Sequence, residues 1–368
     1  MGKSKLVLSV FAVILTAVLV GFGITPSEAS IPTIPVDAEE LGKMPEMKIV
    51  FGHMDVMDPT YLQHGNAVSF KNYVEAASKG KIKVEVVGGG ALGDVTSLTE
   101  QVMEGQIQLA GSVTEGNLNQ IWPDVQCVAV PYAFPSVHVA LDVIDHSFGK
   151  ELIGELNNQL GTAFVSMVFL NGGLRNYTNS VREIRTPEDM KGLKFRTMAI
   201  PAHMKIVEAL GATAIPIAWT ETYTALQTGV VDGQENAIPS CLQGKMEEVQ
   251  KYMITDGHVA SFMLVLMNKQ FYDDLPPLYR EIVDAGLEYG EKMARRLCDV
   301  INVLGRQKMV EAGVQIYDPT SEELALFREK TKPVEKSIRE EMMKDPTWID
   351  RMQKAIEESK ARLGYPTD

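Results

Sequence analysis

From Lys48 to about residue 260, short apolar segments alternate with helical ones, and this alternation restricts the chain to layered α/β architectures. Lys48–Gly52 reads as a first strand. Pro59–Lys79 reads as a helix because Ala67, Phe70, Val74 and Ala77 recur on one face. Lys81–Val87 alternates in strand fashion, Asp94–Glu104 is a second helix, and Ile107–Ala110 is a short strand. Further on, Ala163–Leu170 is an apolar strand ending in Asn171-Gly172-Gly173. Thr186-Pro187-Glu188-Asp189 supplies a capping Thr, a first-turn Pro and two acids in the order that starts a short helix. Leu193–Met198 and Ala214–Ile217 read as strands, Ala202–Leu210 as a helix, and Thr220 as the cap of a helix ending at Thr228. From Pro277 to Ala312 the apolar residues Ile282, Gly286, Tyr289, Met293, Leu297, Val300 and Leu304 fall on one helical stripe. Unbroken, such a helix spans about 50 Å, long enough to brace two lobes; a break near Gly290 would give two helices instead. Residues 321–364 form a charged helical tail with interruptions expected at Pro333 and Pro346.

The start of the chain reads as an export address. Lys3 and Lys5 precede the run Leu6–Gly23, which only Ser9 and Thr16 interrupt, and Ser27-Glu28-Ala29 offers small residues where a signal peptidase reads. Cleavage after Ala29 is the expectation, an uncleaved membrane anchor the alternative. No other stretch has the length and apolarity of a bilayer-spanning helix. Export implies an oxidising compartment, yet Cys127, Cys241 and Cys298 are odd in number and far apart, which favours core thiols. With 48 acidic against 35 basic residues and no basic run, the chain lacks the footprint of a nucleic-acid binder. Its 368 residues suit about two domains.

Motifs of catalysis and cofactor binding are sparse. Gly88-Gly89-Gly90-Ala91-Leu92-Gly93 matches G-x-G-x-x-G, but no acid follows near Gln108 to Ser112 to hold a ribose, so it reads as a strand-to-helix turn. There is no P-loop, no G-x-S-x-G elbow and no HExxH. His53-Met54-x-x-Met57, with Met44-x-x-Met47 before it, is a weak match to a Cu(I) site; methionines on apolar faces more often fill a core. No cofactor, metal or nucleotide is therefore expected, and a binding protein is favoured over an enzyme.

Residues 170–240 carry the chemistry. Arg196 sits inside the apolar strand Gly192-Leu193-Lys194-Phe195-Arg196-Thr197-Met198. Burying a lone guanidinium costs several kcal/mol, so it either pairs with a structural acid such as Glu221 or Glu235, or faces a polar cavity. Its planar fork suits a carboxylate. Arg175 follows the Asn171-Gly172-Gly173 turn, and Asp232-Gly233-Gln234-Glu235-Asn236 closes a later helix-loop unit with amide groups.

In this region the chain resembles the DctP-type solute-binding proteins of TRAP transporters. The resemblance lies in Gly173-x-Arg175-x-x-Thr178-Asn179, in Pro187-Glu188-Asp189-Met190-Lys191-Gly192-Leu193-Lys194-x-Arg196, and in the block from Glu221-x-Tyr223 through Ala225-Leu226-Gln227-Thr228-Gly229-Val230-Val231-Asp232-Gly233-Gln234-Glu235-Asn236. It extends more loosely from about residue 48 to about 340. It implies a periplasmic receptor of two α/β lobes that close on a small organic anion and dock on DctQ- and DctM-type membrane subunits. Lobe one would hold 30–172 and 262–301, and lobe two 173–261 and 302–368, after a signal peptide of 1–29. By the same resemblance Arg196 grips the acid group, Arg175 and Asn236 assist, and Trp219 forms a wall. Val95 and Met54 stand where sialic-acid members carry polar groups, so a smaller or more apolar anion is expected: a C4-dicarboxylate, a hydroxy or oxo acid, or a small sulfonate such as isethionate. A periplasmic sensory module would use the same pocket; a secreted enzyme is the remoter alternative.

Overall fold

The computed structural model describes residues 33–366, so the expected signal segment lies outside the described residues. After a short helix α1 (Ala38–Lys43), the first half of the chain supplies β1 (Met47–Gly52), α2 (Leu62–Ala77), β2 (Ile82–Val87), α3 (Val95–Met103) and β3 (Leu109–Thr114), then α4 (Val137–Asp145) and α5 (Ser147–Leu160). A long strand β4 (Ala163–Asn179) leads into β5 (Lys194–Thr197), α6 (Pro201–Ala209), β6 (Thr213–Pro216), α7 (Trp219–Gln227), β7 (Gly233–Asn236) and α8 (Ile238–Gln243). A second long strand β8 (Tyr252–Asn268) is followed by α9 (Lys269–Asp273), α10 (Pro277–Glu311), β9 (Gln315–Tyr317), α11 (Ser321–Ser337) and α12 (Thr347–Leu363).

The strands run in the order β2-β1-β3-β8-β4-β7-β5-β6, with β9 pairing β8. β1 is parallel to β2 and β3, and β5 is parallel to β6 and β7. The antiparallel pair β4–β8 joins these two parallel sets and belongs to both. β3 meets the C-terminal part of β8, whereas β7 meets the C-terminal part of β4. Each parallel set therefore forms one α/β half, and the ends of its strands face the junction between halves, where open α/β sheets bind ligands.

Four local expectations change. Asn171-Gly172-Gly173 does not end its strand. The register of β4 on β8 shifts between Leu170 and Leu174, and Gly172 and Gly173 take φ of 81° and 119°, so the glycines make a bulge that re-aims the strand from one half into the other. Thr220 is not a cap, because the helix already starts at Trp219 behind Ala218. Pro333 lies inside α11 without breaking it. The tail does not stay with the second half: α11 packs on α6, but α12 lies on α4 and α5, with Trp348 edge-on to Trp122 and Phe148.

The long helix is continuous over 35 residues. Its first part packs along α2 through the buried face Ile282, Val283, Leu287 and Ala294. Its later part reaches α8, where a Cβ on Gly305 would stand 2.9 Å from Ile238. One rigid rod thus touches both halves. Cys127, Cys241 and Cys298 are buried free thiols. Among the described residues no helix is long and apolar enough to cross a membrane.

Candidate functional site

A cavity of about 340 Å³ lies at the junction of the two halves. That volume suits a small molecule. One wall comes from the second half and includes Arg175, Arg196, Ile217, Trp219 and Asn236. The facing wall comes from the first half and includes Met54, Asp55, Asp94, Thr96, Ser112 and Asn117. All four residues expected from the sequence therefore line one cavity.

Local structure explains how they arrive there. β5 lies between β7 and β6 with Arg196 opposite Gln234 and Ile215, so its backbone is held on both sides. The Arg196 Nε donates to the Ile217 carbonyl at 2.8 Å. Its guanidinium lies 5.6 Å from the centre of the Trp219 ring, a cation–π spacing. Trp219 opens α7 and also packs against the second, smaller core, next to Gly244. It is both a wall and a core residue. Asn236 ends β7, and its Nδ2 donates to Gln234 Oε1 at 2.6 Å.

The two arginines differ in their partners. Arg175 is 1% exposed and is held by Glu235: Nη2 donates to Oε1 at 2.9 Å and to the backbone carbonyl at 2.6 Å, and Nε to Oε2. Glu235 is buried as well, and burial alone would raise its pKa; Arg175, with His203 and His258, overrides this and holds it well below the usual carboxylate range. His258 donates toward Glu235 at 3.3 Å and toward Asp256 at 2.9 Å, and Tyr177 stacks on it with ring centres 4.2 Å apart. Burial opposes the His258 charge, but Asp256 and Glu235 outweigh it and lift its pKa to about 9. This is a closed, mutually neutralising network.

Arg196 is 2% exposed and makes no ion pair among the described residues. Glu235, a candidate structural mate, is engaged by Arg175 instead. Burial, with the neighbouring Arg175 charge, pulls the Arg196 pKa down to about 10 against the attraction of Glu235, so the group stays charged at neutral pH. A buried cation with no acid beside it and two terminal nitrogens free of protein partners is complementary to a bound anion.

The residues that sequence reasoning missed are on the facing wall. Met54 and Val95 line the cavity, at the positions the resemblance pointed to, but their chain neighbours Asp55 and Thr96 line it too. Asp55 lies in the loop after β1, Ser112 inside β3 and Asn117 in the short 3-10 turn that follows it, and no local spacing marks them as a set. His53 and Met57, read as a weak soft-metal motif, sit near Gly88, and His53 Nε2 lies 2.9 Å from His64 Nδ1 in a direct imidazole pair. The glycine run 88–93 forms the turn between β2 and α3.

A two-part α/β scaffold braced by one helix, with an anion-ready cavity at its junction, defines a bilobal solute receptor. The particular family follows from comparison with known proteins. Residues 51–342 match the DctP model, described as bacterial extracellular solute-binding protein, family 7, and the chain belongs to this family, whose members are the binding proteins of TRAP transporters rather than enzymes. A solute-binding protein of Verminephrobacter eiseniae is 32% identical over 68% of this chain and 73% of its own length. The 2,3-diketo-L-gulonate-binding periplasmic protein YiaO of Escherichia coli K12 is 29% identical over 69% and 76%. Among solved structures, the sugar acid binding protein DctPAm of Advenella mimigardefordensis, in complex with galactonate, superposes with a TM-score of 0.80 at 28% identity, covering 86% of this chain and all of that one.

Proposed function

We propose that this chain is the periplasmic receptor of a TRAP transport system and captures a small organic acid anion: a carboxylate such as a C4-dicarboxylate or a hydroxy or oxo acid, or a small sulfonate. The observation that carries this reading is Arg196, buried at the cavity wall without an acidic mate. The acid group completes that charge by two parallel hydrogen bonds. Trp219 covers the guanidinium, while Arg175 and Asn236 border the same anion. Relatives that hold galactonate or 2,3-diketo-L-gulonate support an organic acid as the ligand class. The halves close as a hinge at the β4–β8 junction, and the closed form docks on DctQ- and DctM-type membrane subunits. The lobes run 30–172 with 262–301 and 173–261 with 302–368, except that α12 rests on the first. A signal peptide removed after Ala29 delivers the chain to the periplasm.

Arg196→Ala tests this reading. Isothermal titration with the acid that co-purifies with the chain, identified by mass spectrometry, should show a loss of about 3–5 kcal/mol, more than a hundredfold in Kd. Unchanged affinity refutes the assignment.

A further inference from the structure

The cavity is electrically divided. Both of its cations, Arg175 and Arg196, are on the wall from the second half, and Arg175 is already neutralised by Glu235. Both of its acids, Asp55 and Asp94, are on the wall from the first half. Asp94 is exposed at the rim and caps α3, accepting from the Ser97 backbone at 2.9 Å. Asp55 is different: it is 7% exposed and no cation pairs with it among the described residues.

Asp55 is also held in place by an unusual piece of backbone. The register of β3 on β8 shifts between Ala110 and Val113. Within that irregularity Ser112 adopts φ of +60°, a left-handed conformation that a serine tolerates only at a cost. The result is a hydroxyl fixed between two partners: Ser112 Oγ accepts from the Met54 N–H at 3.0 Å and donates to Asp55 Oδ1 at 3.0 Å. Gln243, at the end of α8 in the other half, lines the same cavity and favours the charged form of this carboxylate, and burial nevertheless keeps the Asp55 pKa above its ordinary value. A carboxylate offers about four acceptor positions, so the Ser112 hydroxyl leaves it with capacity for more.

Building on the organic-acid reading above, we propose that Asp55 is the residue that sets specificity: it accepts a hydrogen bond from a hydroxyl at the far end of the ligand and repels a second anionic group, so the receptor takes hydroxylated monocarboxylates and discriminates against C4-dicarboxylates. A monoanion places its acid on Arg196 and its O–H groups on Asp55. A dianion places one acid on Arg196 and the other against a wall that holds carboxylates and no cation. Like charges meeting at a recognition surface are a common source of discrimination.

Titration calorimetry of the signal-free chain with galactonate, D-erythronate, succinate and malonate tests this. The wild type should bind at least one of the two hydroxy acids about a hundredfold more tightly than either dicarboxylate. Asp55→Asn should weaken the hydroxy acid and strengthen succinate, bringing the ratio to within about tenfold. Ser112→Ala, which removes only the hydroxyl that fixes Asp55, should move the ratio in the same direction by less, and serves if Asp55→Asn melts early. Equal or tighter binding of a dicarboxylate by the wild type, or a ratio unchanged in both variants, overturns the role of Asp55 alone. Failure of all four acids to bind also overturns the specificity assignment, whereas the organic-acid reading falls only if Arg196→Ala leaves binding of the co-purified acid unchanged.

Discussion

Arg175 and Arg196 lie on the same cavity wall, are equally buried, and have opposite circumstances. Arg175 is locked to Glu235 by side-chain and backbone bonds inside a network that includes His258 and Asp256. Arg196 has one bond to a backbone carbonyl and a tryptophan face. The difference teaches that burial and residue type do not by themselves mark a ligand contact. What separates structure from site is whether the charge is completed from within the protein. Arg175 stiffens the strand leading out of the glycine bulge, and Arg196 is left for the visitor.

The contrast can be broken or sharpened by experiment. The largest effect on stability should come from Glu235→Gln, which keeps the shape of the side chain and leaves Arg175 buried without its counter-charge. Urea unfolding should lose about 3–5 kcal/mol; a loss under about 1 kcal/mol would mean the network is not closed in the way described.

A somewhat smaller effect concerns pH. His258 titrates at about 9 when folded against 6.5 when free, so the folded state holds its proton more tightly. The stability this contributes is complete below about pH 6.5 and is lost as pH rises through about 9, amounting to about 3 kcal/mol. Urea midpoints should fall across that window, and His258→Asn should flatten the fall. The smallest effect on stability belongs to Arg196→Ala. It removes a buried cation that no acid balances, so the ligand-free unfolding free energy should stay within about 1 kcal/mol of the wild type. A collapse there would place Arg196 with Arg175 as a structural residue.

Much of this was legible in the chain. Alternating apolar periodicity gave the layered α/β halves, and the stripe from Ile282 to Leu304 gave the bracing helix, because both signals are local. Arg196 stood out since a charge inside a short apolar strand is a local contradiction. Its pairing was not legible: Glu235 and Arg175 are sixty residues apart and meet across the β4–β7 ladder. Asp55 escaped for the same reason, being defined by a hydroxyl from β3, 57 residues further along the chain. Gly172-Gly173 and Pro333 misled because turn and breaker residues are also used inside long elements, where a partner strand or a packed helix face overrides the local preference. The tail crossed to the first half because Trp348 finds Trp122 and Phe148 there, a contact that no tail periodicity announces.

The most direct test is a crystal structure of the chain with its co-purified or titrated organic acid. The account predicts the acid group within hydrogen-bond distance of both terminal nitrogens of Arg196, with the Arg175–Glu235 pair undisturbed. An acid group seated elsewhere in the cavity, or an Arg196 that has turned to a protein carboxylate while the ligand is bound, would contradict it.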